Sequence, residues 1–414
     1  MNVRKSTQWI TLLYSAITAV IISIIILFSK NYFDRISFDL LRGVVIFIFL
    51  FGIYCLISLG FYFIQKNVKK ALNSGLLILV ISLALSWTIY EILHDGNFLR
   101  YSILAFLNGL AMSMVLFLMV SGFYLVFGLA DIINFAHGAF FMLGGFVGFE
   151  AYVFYEDLFL QANLFNQDPF IFSIIIFILS ILTVALLMGL LGFFIEITTI
   201  RSLYKKPLNQ ILLTVGISFV IIQASRVIWG QLGSYIIPTN TKSKYFFITG
   251  NINLPFDVIF ESYSVIIIII GLSLAVFMFL VFKKTKAGLL VQAAIEDSEM
   301  TEILGVNVKR MLSLVFIIGT VLAGIAGFLI VPSLHGGANI SNGTKYLLYA
   351  FVIVVVGGAH YGKFEGTFFG SLIIGFSYNF TSLFFPDFTT VIVFLTMVLI
   401  LIFKPNGLTG QQLN

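Results

Sequence analysis

Apolar runs about as long as a bilayer is thick recur along nearly the whole chain. They fall near residues 9–28, 43–64, 71–93, 101–129, 132–154, 170–194, 208–230, 263–282, 310–331, 346–358, 367–385 and 388–403. A helix needs roughly 20 apolar residues to cross the hydrocarbon core. Inside lipid the backbone must satisfy its own polar groups, so a run of this kind is helical. The pattern predicts an all-α polytopic membrane protein with about twelve transmembrane helices. The 346–358 run is short enough for a half-helix, and the 101–129 run is long enough to be tilted or broken.

Composition supports this class. Of 414 residues, 60% are hydrophobic and 10% are charged, against about 25% charged in soluble domains. A soluble protein this apolar would expose large adhesive patches. A soluble enzyme, a disordered chain and a nucleic-acid-binding module are excluded. The net charge of +5 comes from basic residues scattered in short clusters between the apolar runs, the pattern that membrane topology produces.

With the N-terminus placed in the cytoplasm and the sides alternated, one side holds 15 cations: Arg4, Lys5, Lys66, Lys69, Lys70, Arg201, Lys205, Lys206, Lys283, Lys284, Lys286, Lys309, Arg310, Lys363 and Lys404. The other holds seven: Lys30, Arg35, Arg42, Arg100, Lys242, Lys244 and Lys345. Arg226 falls within a run, close enough to its end to snorkel. The positive-inside rule therefore predicts that both termini are cytoplasmic. The first run follows Arg4 and Lys5 and exceeds the roughly 7–15 apolar residues of a signal-peptide core. No small-residue cleavage site follows it, so it reads as a retained first helix.

The chemistry-bearing residues are few. Cys55 is the single cysteine, which removes disulfides and Cys-based metal sites. The four histidines, at 94, 137, 335 and 360, lack metal-ligand spacing. No nucleophile–base pair or paired carboxylate motif is present, and no cofactor site is expected. Residues 357–364 nearly spell a phosphate loop, but Phe364 stands where Ser or Thr must hold Mg²⁺, and the segment joins two membrane runs. Nucleotide binding is rejected, and the glycines read as a tight turn. Glu196 lies at a run's end. A weak echo links His137-Gly-Ala-Phe-Phe with Glu365-Gly-Thr-Phe-Phe, close to chance in this composition.

Three segments stand out. Residues 231–262 contain Pro238, Pro255 and a β-type stretch at 245–249, on the side that would meet an external partner. Residues 283–309 are the most polar part of the second half. There Ala287–Ile295 predicts about two helical turns. Asp297 predicts the cap of a short helix over Ser298–Leu304, with Gly305 ending it at C′. The small Ala293 and Ala294, with the acidic Glu296, Asp297, Glu299 and Glu302, suit docking of a partner, although a solvated loop that sets topology accounts for them too. Asp131-Ile-Ile-Asn-Phe-Ala-His-Gly138 puts Asn134 and His137 between apolar runs, where polar side chains need partners. Gly138, Gly144, Gly145 and Gly148 follow at near-helical spacing and permit close helix approach. The segment reads either as a backbone break lining a pathway or as a capped helix end with a satisfied histidine.

Taken together, these motifs resemble the permease subunits of ABC importers for branched-chain amino acids, and the first of the two paired permeases more than the second. The resemblance is carried by Ile133-Asn-Phe-Ala-His-Gly138, Pro207-Leu-Asn-Gln-Ile-Leu-Leu-Thr-Val-Gly-Ile-Ser218, Gly288, Ala293 through Asp297 to Leu304-Gly-Val306, Val356-Gly-Gly358 and Lys404-Pro-Asn-Gly-Leu408. It covers residues 101–410. Residues 1–100 have no counterpart and would add about three helices. Gln292 stands where the family usually carries arginine. The resemblance implies a multi-pass protein of a prokaryotic cell membrane that does not itself hydrolyse ATP. Its expected partners are ABC ATPase subunits, a second permease subunit (a copy or a homologue) and an extracytoplasmic substrate-binding protein. It makes 283–309 the ATPase-coupling loop, with Gly288, Ala293, Ala294, Glu296, Asp297, Leu304 and Gly305 as its residues. It makes Asn134, His137, Gly138, Gly144 and Gly145 candidates for the substrate path. A permease for urea, short amides or another small solute shares the architecture. A stand-alone secondary transporter would need ionisable residues in mid-span, and this chain has few.

Overall fold

The computed structural model describes residues 97–130, 134–162, 169–204, 206–230, 251–254, 258–333, 338–358, 364–384 and 386–409. The expected helices near 9–28, 43–64 and 71–93 lie outside these residues, as do His94, His335, His360 and the 245–249 stretch. The chain divides into two units, Met1–Ser102 and Ile103–Asn414.

The described elements run α1 (Asn97–Ala130), α2 (Ala136–Gln161), α3 (Pro169–Thr198), a 3-10 turn (Ile200–Leu203) and α4 (Pro207–Trp229). A hairpin of β1 (Asn251–Leu254) and β2 (Val258–Glu261) follows. Then come α5 (Ser262–Lys284), α6 (Lys286–Glu296), α7 (Ser298–Ile303), α8 (Val308–Ile330), α9 (Ser341–Gly357), α10 (Phe364–Phe384) and α11 (Thr389–Phe403). The two strands are antiparallel, with Asn251 opposite Glu261 and Leu254 opposite Val258. Among the described residues, the long connector before α5 carries strands at 251–254 and 258–261.

Among the described residues, seven helices are long and apolar enough to cross a membrane: α1 to α5, α8, and α11 with the turn before it. The nine runs expected in this region all form helices, but two fall short of that standard. The 17-residue α9 is short, as its sequence suggested. Helix α10 has the length but carries Glu365, Ser371, Ser377, Asn379 and Thr381. Helix α1 is one unbroken element of 34 residues. Its length of about 50 Å exceeds the bilayer core.

Helix α8 sits at the centre, largely buried, while α3, α4, α5 and α11 keep most of their apolar surface exposed. In lipid no hydrophobic force drives helices together, so close packing must supply the association energy. The seam of α2 with α8 shows how the sequence achieves it. A side chain at Gly144 would run into the backbone of Gly324, so the two helices touch backbone to backbone. Beside it Phe140 of α2 meets Phe316 of α8 edge-on, and both rings are buried.

Candidate functional site

Asn134 starts α2. Its side-chain oxygen accepts the Ala136 N–H at 3.0 Å, and its carbonyl accepts the His137 N–H at 3.2 Å. The Phe135 N–H donates to Thr214 Oγ1 of α4 at 3.3 Å. His137 is 1% exposed. Its Nε2 lies 2.9 Å from the Met119 carbonyl. A carbonyl can only accept, so this nitrogen carries the proton. The ring also meets Phe123 edge-on. Asn134 and His137 are therefore buried and partnered in this conformation. Gly138, Gly144 and Gly145 lie in helix seams, against Gly343, Gly324 and Gly327 respectively.

A second break repeats the first. The side-chain oxygen of Asn339 accepts the Ser341 N–H at 2.9 Å, and its carbonyl accepts the Asn342 N–H at 3.1 Å. The backbones of Phe135 and Ile340 are both right-handed helical, with φ of −67° and −61°. Asn134-Phe-Ala-His-Gly138 thus aligns with Asn339-Ile-Ser-Asn-Gly343, residue for residue. The two starts meet, because a side chain at Gly138 would collide with the Gly343 carbonyl. A shallow recess with room for about one water lies there, lined in part by Phe141, Gly145, Val331, Asn339 and Asn342, far short of the ~300 Å³ of ordinary ligand pockets. The shared Asn-x-small-polar-Gly pattern was the available sequence signal. The echo between His137–Phe141 and Glu365–Phe369 has no such counterpart, since Gly366 packs on Gly357.

Residues 286–304 form the expected pair of short helices. Thr285 Oγ1 caps α6 by accepting the Gly288 N–H at 3.1 Å. Asp297 caps α7 by accepting the Met300 N–H at 2.9 Å. The end of α7 is a Schellman motif. Gly305 donates to the Glu302 carbonyl, Val306 donates to the Thr301 carbonyl, and Gly305 has φ 88°. Gly288 lies against the backbone of Val281 and Phe282, folding α6 back on α5. Ala293 is exposed, whereas Ala294 is buried and so faces the chain's own core. Gln292 donates to the Phe282 carbonyl at 3.2 Å. Leu289, Leu290, Met300, Ile303 and Leu304 are exposed, beside the exposed acids Glu296, Asp297, Glu299 and Glu302.

Glu196, at the end of α3, is fully buried. Its Oε1 accepts from Ser313 Oγ at 2.6 Å and from Tyr204 Oη at 2.7 Å, with Arg201 Nε at 3.4 Å. Arg201 also donates to Ser313 Oγ at 3.0 Å. Burial, and then the bond to Glu196, holds the Tyr204 phenol above its usual range. Lys283 pairs with Glu365 at 2.7 Å, tying α5 to α10. The C-terminal motif reaches the end of α9, where the Leu408 N–H donates to the Val356 carbonyl at 2.8 Å. Gly358 there is left-handed, with φ 91°. Arg226 is exposed near the end of α4 and donates to Gln223 at 3.4 Å.

Run-counting places Lys345 outside the helices. Counted with a connecting segment by charge, it lies within α9 and is half-buried. Among the described residues, no cluster of His, Cys, Asp and Glu could hold a metal ion.

Comparison with known proteins covers this whole region. A permease of *Pseudomonas aeruginosa*, "High-affinity branched-chain amino acid transport system permease protein BraD", is 26% identical over 307 residues, spanning 73% of this chain and 94% of that one. The *Escherichia coli* K12 counterpart LivH is 24% identical over the same shares. The "Probable branched-chain amino acid transport permease protein LivH" of *Methanocaldococcus jannaschii* is 25% identical over 324 residues, 72% of this chain and 89% of that one. No solved structure matches the chain. The family model described as "Branched-chain amino acid transport system / permease component" matches residues 105–401, and the chain belongs to that family.

Proposed function

We propose that this chain is the membrane-spanning permease subunit of an ABC importer that takes up branched-chain amino acids. An external binding protein delivers the substrate, and a separate ATPase subunit drives the cycle. The family match over residues 105–401 carries this reading. The exposed ridge on α6 and α7 supports it. An amphipathic pair of capped helices that offers leucines, Met300 and four acids to solvent suits a partner protein better than lipid.

In this reading residues 101–410 are the permease domain and 1–100 an added membrane segment. The count is about twelve spans, with both termini and the coupling loop 283–309 in the cytoplasm of a prokaryotic cell. ATP binding closes the ATPase dimer and drags α6 and α7. That motion tilts α5 and α8, which flank them, between inward- and outward-open states. The second permease subunit completes the path. Asn134, His137 and the glycine seam of α2 lie where such tilting separates α2 from α8 and α9, which would open the recess at Asn339 and Asn342 to substrate.

The test is uptake of labelled leucine by proteoliposomes holding the chain with its ATPase, second permease and binding protein. ATP-dependent uptake that requires all the components is expected. Uptake by the chain alone, driven by a proton gradient, would overturn the reading.

A further inference from the structure

Lys345 holds an ammonium among three aromatic rings of the helical bundle. It lies in α9, five residues into the helix counting from Ser341, and is half-buried. Its Nζ donates to Tyr378 Oη of α10 at 3.2 Å. It stands 5.2 Å from the ring of Tyr378, 5.7 Å from that of Tyr346 and 5.9 Å from that of Tyr349. Along α10, Tyr378 is thirteen residues from Glu365, the partner of Lys283. That is about 20 Å of helix, so the ammonium sits well inside the span. Among the described residues no carboxylate pairs with it.

A charge at this depth is costly and needs compensation. Cation–π contact with three rings supplies part of it. The polar side-chain atoms around it are hydroxyls, which can donate as well as accept. The ammonium keeps two further N–H groups. Tyr378 accepts from the ammonium, which leaves its own O–H to donate. The Tyr346 hydroxyl is buried, with the Tyr378 hydroxyl as its neighbour. Tyr349 differs, because its hydroxyl is paired with Thr390 at 3.3 Å. The start of α9 is close by and adds the positive end of a helix dipole. A cation, two neighbouring hydroxyls and a helix start, with no carboxylate paired among the described residues, define a site for an anion.

We propose that Lys345, with the hydroxyls of Tyr346 and Tyr378, is a subsite of the transport path that takes the α-carboxylate of the passing amino acid. The proposal rests on the reading of the chain as an amino-acid permease. The carboxylate accepts from the ammonium and from the two hydroxyls, while the apolar side chain of the substrate stays free to contact bundle walls. This explains how a path between apolar helices passes a zwitterion with so few ionisable residues.

The experiment is ATP-driven leucine uptake by the complete reconstituted importer. Lys345→Met keeps length and removes charge, so insertion and folding are preserved. Its kcat/KM should fall about tenfold to a hundredfold, the range for loss of a charged hydrogen bond. Lys345→Arg should retain most uptake, and Tyr346→Phe should lose part of it. Membrane insertion and co-purification of the ATPase should persist in all three, which separates a lost subsite from a lost fold. If the wild type carries leucine and Lys345→Met carries it equally well, the lysine merely snorkels and the proposal is overturned. It is also overturned if the Lys345→Met defect disappears in vesicles lacking anionic lipid, which would assign the site to a lipid headgroup. A wild type that carries no leucine would instead overturn the functional reading beneath it.

Discussion

Ser313 Oγ lies 2.6 Å from Glu196 Oε1, joining the first turns of α8 to the last turn of α3 across 117 residues of sequence. The serine stands just beyond the α6–α7 pair, so the bond ties the helix leaving that pair to its neighbour. Glu196 is fully buried, and Ser313, Tyr204 and Arg201 converge on its Oε1.

Glu196→Ala should therefore destabilise the protein by about 1.5–3 kcal/mol, the worth of its charged hydrogen bonds. Ser313→Ala should cost about 1 kcal/mol. Because the residues share one network, the double variant should lose less than the sum. Thermal midpoints in detergent for the four proteins measure this. Strictly additive losses would show that the two side chains are not coupled.

Gly144→Ala should also destabilise, for a different reason. The added methyl falls on the backbone of Gly324, which cannot swing aside like a side chain. Overpacking of this kind costs about 1–3 kcal/mol. Gly216→Ala in α4 is the matched comparison, since nothing lies within 4 Å of its methyl. It should gain up to about 1 kcal/mol from helix propensity. Detergent melting of the isolated chain should move in opposite directions for the two variants, and a fall for both would remove the packing explanation.

The sequence foretold those features that local physics controls. Apolar run length placed the helices of residues 97–409, and the caps at Asp297 and Gly305 were readable because they satisfy backbone groups a few residues away. Contacts between distant segments were not readable. Nothing in the run around Glu196 indicates that Ser313 approaches it. Ala293 and Ala294 look equivalent as text, yet the register of α6 exposes one and buries the other. Lys345 was assigned to a connecting segment because a cation normally ends a membrane run. The tyrosines that surround it come from α9 itself and from α10. The second break at Asn339 escaped because its match to Asn134 is a pattern of residue types, convincing only once Gly138 and Gly343 are seen to touch.

The docking ridge yields the last prediction. Glu302 is exposed on α7, and Gly305 beyond it has open space around its Cα. Glu302→Lys leaves the caps of both helices in place, so it alters the surface charge and little else. Asp297 is a poorer choice for reversal, because its carboxylate caps α7 and its loss alone costs about 0.5–2 kcal/mol. Gly305→Arg adds bulk, but at φ 88° it also adds backbone strain of about 1 kcal/mol. Gly305→Asn separates the two effects, since asparagine tolerates that conformation and is much smaller. Glu302→Lys and Gly305→Arg should abolish leucine uptake and release the ATPase on affinity purification while remaining in the membrane. Gly305→Asn should keep both activities at least in part. Retention of the ATPase and of normal uptake by Glu302→Lys and Gly305→Arg would show that the ATPase grips another part of the chain.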